Sequence, residues 1–187
     1  MGINGGNPQF ILSIDPGKST GVAYGLVYLD MPYRLEEAWQ FGGGLDGLLD
    51  AIPGPLSGVI PARHTICEKF QPISHANYSL TTDSVEPLRC EGALIALGIM
   101  ADFPGPTWRK PADQYFVGGK TLPEKKKRSR KFLKDTGNYR LPKQLGAPDN
   151  NDAISATLHG INYAIKVLES KATFDLVREW VGDNPVD

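Results

Sequence analysis

Hydrophobic and polar positions alternate along this chain with two different periods, and each change of period marks the edge of an element. Phe10-Ile11-Leu12-Ser13-Ile14 is a short, uncharged, largely apolar run. A run of that length and composition predicts a strand buried on both faces. It ends in Asp15-Pro16-Gly17, where the ring and the glycine break the strand. Lys18 to Val27 then reads as a turn followed by a second strand, in hairpin fashion. Leu35 to Phe41 predicts a third strand, with Leu35, Glu37, Trp39 and Phe41 sharing one side. Glycines 42 to 44 end it. Leu45, Leu48, Leu49 and Ile52 recur at helical spacing, so a short helix follows, stopped by Pro53-Gly54-Pro55.

His64 to Phe70 predicts a fourth strand in which Ile66 and Glu68 face one way and Cys67 the other. From Gln71 to Thr82 there is no periodicity, and a loop of that length inside a compact domain is more often functional than accidental. Thr82-Asp83-Ser84 offers caps for a helix carrying Val85, Leu88, Gly92, Ile95 and Ile99, which Pro104-Gly105-Pro106 ends. Thr107 to Lys110 is a short strand candidate. A helix is predicted from Pro123, a favoured first-turn residue, to about Thr136, where Gly137-Asn138 stops it. Leu145 to Ala156 opens a last long helix that runs to about Leu168, and a tail helix over about 172–182 carries Phe174, Val177 and Val181.

At 187 residues with 41% hydrophobic content, the chain suits a single α/β domain spanning 1–187, its core at about 9–168. No apolar run approaches the roughly 18 residues of a membrane span, and the first residues lack a signal-peptide pattern, so a cytoplasmic protein is expected. Cys67 and Cys90 have no metal-knuckle spacing and read as core thiols. The net charge of −1 conceals a strong asymmetry. Residues 120–143 hold ten of the twenty basic side chains against only Glu124 and Asp135, so this segment carries +8 and the remainder −9. Lys120, Lys125, Lys126, Lys127, Arg128, Arg130 and Lys131 therefore form a candidate phosphate-binding face, with a merely solvated helix as the alternative. Lys18, Arg109 and Lys110 offer a second basic path, and Phe70 is a candidate for stacking on an unpaired base.

Three acidic positions stand at element ends: Asp15 after the first strand, Glu68 at the fourth, and Asp149 with Asp152 at the start of the last long helix. Each has an ordinary reading. Asp before Pro-Gly is common turn chemistry, and Asp-x-x-Asp at a helix start is capping and dipole compensation. Taken together, separated carboxylates at strand ends are what a divalent-metal phosphoryl-transfer site needs, since Mg²⁺ prefers oxygen ligands and two ions roughly 4 Å apart serve both the attacking and the leaving oxygen.

The order of Ile14-Asp15-Pro16-Gly17 with Thr20-Gly21, then Ile66-Cys67-Glu68, Glu91-Gly92 and Asp149-x-x-Asp152-Ala153 resembles the ribonuclease-H-like nucleases, and within them the RuvC family of Holliday-junction resolvases, most of all their bacteriophage forms. The resemblance spans roughly Phe10 to Ala164. It implies a mixed sheet, with strands one to three antiparallel and later strands parallel, flanked by helices. It implies that Asp15, Glu68, Asp149 and Asp152 hold two Mg²⁺ or Mn²⁺ ions, and that a homodimer cuts four-way junctions, and with them flaps or forks, in the cytoplasm of a bacterial host. Two rival readings stay open: a nuclease-like fold that binds branched nucleic acid without cutting it, and an actin-like nucleotide-binding fold suggested by Asp15-x-Gly17 with Thr20-Gly21.

Overall fold

The computed structural model describes residues 7–28, 30–60, 62–69, 82–100, 108–109, 115–145 and 151–186; for 82–84, 108–109 and 144–145 only the backbone is described. Strands β1 (Gln9–Asp15), β2 (Ser19–Val27) and β3 (Arg34–Gly42) form an antiparallel meander. β4 (His64–Glu68) joins β1 in parallel, and the short β5 (Trp108–Arg109) joins β4 in parallel. β6 (Lys143–Leu145) adds to the far side of β3, also in parallel, giving one sheet in the order β5-β4-β1-β2-β3-β6. The mixed sheet expected from the sequence is thus present. β6 was not expected, because three residues beginning with lysine carry no readable apolar period.

Helices cover both faces. α1 (Gly44–Ala51) and α2 (Thr82–Ala96) lie over Leu12, Ile14, Val22, Trp39 and Phe41. α3 (Leu122–Asp135), α4 (Asn151–Lys166) and α5 (Lys171–Asp183) lie over Ile11, Ala23, Val27, Leu35 and Ile66. One expectation fails here: Leu35 does not share a side with Glu37, Trp39 and Phe41. Tyr24 pairs with Glu37 while Gly25 pairs with Leu35, so β3 carries one extra residue at this point. Such a bulge reverses the facing of everything beyond it. Leu35 therefore enters the α4-side core, and its backbone groups meet side chains instead: its N–H donates to Asn138 Oδ1 at 2.8 Å, and its carbonyl accepts from Arg140 Nε at 3.0 Å.

α4 is buried from Ala153 through Ala164 except at Ser155, which is why its sequence is apolar on nearly every side. It seats closely on the sheet because β2 presents Gly21 to its first turn. A Cβ at that glycine would stand 2.0 Å from the carbonyl carbon of Asp152. The basic helix α3 begins with a capping box, Thr121 accepting from the Glu124 amide while the Glu124 carboxylate accepts from the amides of Lys120 and Thr121. α1 has no such cap: its N-cap is Gly43, and the carboxylate of buried Glu86 on α2 takes the Leu45 amide at 2.6 Å. Among the described residues no helix is long and apolar enough to cross a membrane.

Candidate active site

The parallel register of β1 and β4 sets Ile14 opposite Cys67, so the next residues, Asp15 and Glu68, end adjoining strands side by side. Strand alternation turns both carboxyls to the face covered by α4. Burial pushes the Asp15 carboxyl well above the ordinary carboxylate range, and its hydrogen bond to Glu68 together with the charges of Glu68 and Asp152 push it further, against a smaller opposing bond from Ser155. Burial alone would raise Glu68 as well. It is nonetheless held below its usual value, because Asp15 donates to it and the His159 ring lies beside it. One proton shared by two neighbouring carboxyls is the expected result.

The third carboxylate comes from α4. Asp152 Oδ2 accepts from Gln40 Nε2 at 2.9 Å, and Gln40 Oε1 accepts from the Ala153 amide at 2.9 Å. Ser155 and His159 continue the same helix face at the spacing that brings them over the carboxyl pair. His159 is fully buried; neither ring nitrogen forms a good hydrogen bond, and Nε2 stands 3.5 Å from Glu68 Oε2. That distance is too long for a good hydrogen bond.

Beside these carboxyls opens a cleft of about 220 Å³ whose walls include Asp15, Asp152, Ser155, Asn151, Tyr115, Lys126, Ser129 and Arg130. Helical spacing puts Lys126, Ser129 and Arg130 on the face of α3 that looks into it. Arg130 Nη2 donates to Asn151 Oδ1 across the mouth. The Tyr115 hydroxyl is raised by burial and by the charges of Glu68 and Asp15, which places the phenol within their field.

The basic residues of α3 divide into two groups. Lys126 and Arg130 reach the cleft, while Lys120 and Lys127 are exposed and Lys125 is half-buried. Arg128 and Lys131 point to α5 instead. Arg128 donates to the carbonyls of Val117 (3.1 Å), Asn184 (2.6 Å) and Pro185 (3.2 Å), and lies over the Trp180 ring at 5.3 Å. Lys131 bonds Asp135 and Asn184 and lies over the same ring. Lys18 is exposed in the β1–β2 turn, its carbonyl accepting from the Gly44 amide. Arg109 is placed by its backbone, paired with Glu68 in the sheet. Asp149, Phe70 and Lys110 lie outside the described residues.

Sequence reasoning did not single out Gln40, Tyr115, Ser129, Ser155 or His159. For Gln40 a signal existed: a polar side chain between Trp39 and Phe41 must face the opposite side of the strand, toward α4. His159 follows Asp152 by seven residues, two helical turns on one face.

Among the described residues no three His, Cys, Asp or Glu side chains converge closely enough to enclose a metal ion. The donor set still fits a hard divalent cation in kind. Asp15, Glu68 and Asp152 supply oxygen only, and Asp15 and Glu68 neutralise their mutual repulsion with a proton that such a cation would displace.

No family model matches the sequence, and no curated protein sequence matches it. Solved structures do. A Thermus thermophilus RuvC in complex with a Holliday junction substrate superposes with a TM-score of 0.55 at 13% identity, over 86% of this chain and 96% of that one. A second Thermus thermophilus RuvC structure gives 0.50 at 16% identity, over 83% and 95%. The chain therefore has the RuvC fold, ribonuclease-H-like in its sheet order and helix placement.

Proposed function

We propose that this chain is a metal-dependent endonuclease that cuts branched DNA, four-way junctions first among its substrates. The observation that carries the reading is the carboxyl pair of Asp15 and Glu68 at adjoining strand ends, with Asp15 and Asp152 lining a cleft to which the basic helix α3 contributes Lys126 and Arg130. The RuvC fold, solved in one case with a Holliday junction, supports it.

Asp15, Glu68 and Asp152, with Asp149, are the residues to hold Mg²⁺ or Mn²⁺, two ions to a site. Bound there, the ions would supply an activated water and offset the charge that develops on the phosphodiester. The protein's own parts do the rest. Asp15 and Glu68 hold a proton between them, and a cation bound there would have to displace it before both carboxylates could serve as ligands. Lys126 and Arg130 hold backbone phosphates at the cleft and set the strand's position against the carboxylates. A homodimer presents two such clefts at a fixed separation, so that two strands of one junction are cut, leaving 5′-phosphate and 3′-hydroxyl ends.

End-labelled four-way junction, splayed fork, flap and linear duplex, each incubated with and without Mg²⁺, test the reading. Mg²⁺-dependent cleavage of the branched forms, absent from Asp15→Asn and Glu68→Gln proteins that still bind junction, is expected. Junction binding without cleavage under any divalent cation would overturn it.

A further inference from the structure

We propose that Gln40 is a positioning residue of this site: its side-chain amide holds the Asp152 carboxylate in the orientation that receives a divalent cation. This rests on the nuclease reading above. Gln40 is fully buried on β3, a central strand, where an uncompensated amide costs free energy. Its orientation is settled by its partners. The Ala153 amide can only donate, so the atom 2.9 Å from it is the carbonyl Oε1. The other end is then the NH₂ group, and its two hydrogens meet Ser19 Oγ at 2.8 Å and Asp152 Oδ2 at 2.9 Å.

One rigid side chain thus grips α4 twice, at the backbone of its first turn and at the carboxylate that turn carries. The grip also selects. Nε2 donates to Oδ2, which fixes the plane and orientation of the Asp152 carboxylate relative to the first turn of α4. Asparagine is a methylene too short for the same reach, glutamate has no hydrogen to donate, and an aliphatic side chain satisfies neither partner. Gly21 on the neighbouring strand removes the remaining freedom, since the Asp152 backbone lies directly on it. Groups that bond a metal ligand from behind fix its geometry, and losing them commonly costs about 10- to 100-fold in metal affinity.

The test is Mn²⁺ affinity of the DNA-free protein, read by paramagnetic resonance or calorimetry, for wild type, Gln40→Met and Asp152→Asn, with thermal melts in parallel. Gln40→Met should bind Mn²⁺ at least 10-fold more weakly, and its cleavage rate should recover at saturating Mg²⁺. In wild-type protein the slowly exchanging side-chain NH₂ resonances of Gln40 should shift on Mg²⁺ titration with the affinity of the site, a readout that needs no variant to fold. Unchanged Mn²⁺ affinity in Gln40→Met with a lowered melting temperature would show a structural role only and overturn the inference, as would NH₂ resonances indifferent to Mg²⁺. Unchanged affinity in Asp152→Asn would overturn the nuclease reading's ligand set instead.

Discussion

Replacing Gly21 by alanine tests whether close approach of α4 to β2 holds the active site together. The added Cβ would lie 2.0 Å from the carbonyl carbon of Asp152, 2.1 Å from its oxygen and 2.3 Å from the Ala153 nitrogen. Carbon atoms in contact sit about 3.5–4.0 Å apart, so roughly 1.5 Å must open. Every atom in the way is backbone, and β2 is fixed on both sides by the β1 and β3 ladders, so α4 is the element that gives. Overpacking of this kind costs about 1–3 kcal/mol, and the absence of any flexible side chain in the clash points to the upper end. A chain of this size loses roughly 2–4 °C of melting temperature per kcal/mol, which gives about 6–12 °C. The displacement also carries Asp152 away from Asp15. Misplacing a reacting group by 1 Å costs on the order of 100-fold in rate, so junction cleavage measured well below the melting temperature should fall by about that factor. Gly92→Ala, in the interior of α2, is the control: a Cβ there meets nothing within 4 Å, so the rate should stay near wild type and stability should not fall, a helix-interior Gly→Ala change gaining about 0.5–1 kcal/mol. A Gly21→Ala protein that melts within 1 °C of wild type and cuts at the same rate, the shift being about a sixth of the least expected, would refute the argument.

Four further outcomes are expected. Asp15 sits above its unfolded value, so the folded chain keeps a proton that the unfolded chain releases, and stability falls as pH rises through that interval; in metal-free buffer Asp15→Asn should raise the melting temperature, by more at pH 8 than at pH 4, and an equal gain at both would contradict the assignment. Glu68 is shifted the other way and contributes stability that is lost on acidification, so Glu68→Gln should lose most of its effect on stability at low pH. Replacing Lys126 and Lys127 together by Gln should flatten the slope of log junction affinity against log salt by up to about 1.8, at roughly 0.9 for each phosphate left unneutralised. Arg128→Ala should instead leave that slope unchanged while loosening α5, seen as faster proteolysis near Asn184, because its guanidinium is committed to the Val117, Asn184 and Pro185 carbonyls.

The first three strands, the basic helix and the carboxylates at strand ends were legible because each depends on local pattern: a short apolar run, a charge block, an acid beside a breaker. Leu35 was misplaced because alternation assumes an unbroken ladder, and the bulge opposite Tyr24 and Gly25 is set by pairing with another strand. β6 escaped for a related reason, since its pairing with β3 is a backbone ladder that no side-chain period announces. Arg128 and Lys131 read as part of one charged face, yet Trp180 and Asn184, some fifty residues on by the chain numbering, engage them on the α5 side. His159 was not singled out because its neighbour Glu68, 3.5 Å away, comes from a strand some ninety residues earlier in the chain.

The grip of Gln40 on Asp152 also fixes when the site comes into being during synthesis. The two residues lie 112 positions apart, so at about 5–20 residues per second the ribosome takes roughly 6–22 s to deliver the second after the first. Through that interval the residues of β1, β2 and most of β3 are made but the helix that completes the cleft is not, and Asp15 has no Asp152 opposite it. A nascent chain stalled between the end of β4 and the start of α4 carries both strand carboxylates but no assembled cutting site. On the nuclease reading, the capacity to break DNA is among the last things this polypeptide acquires.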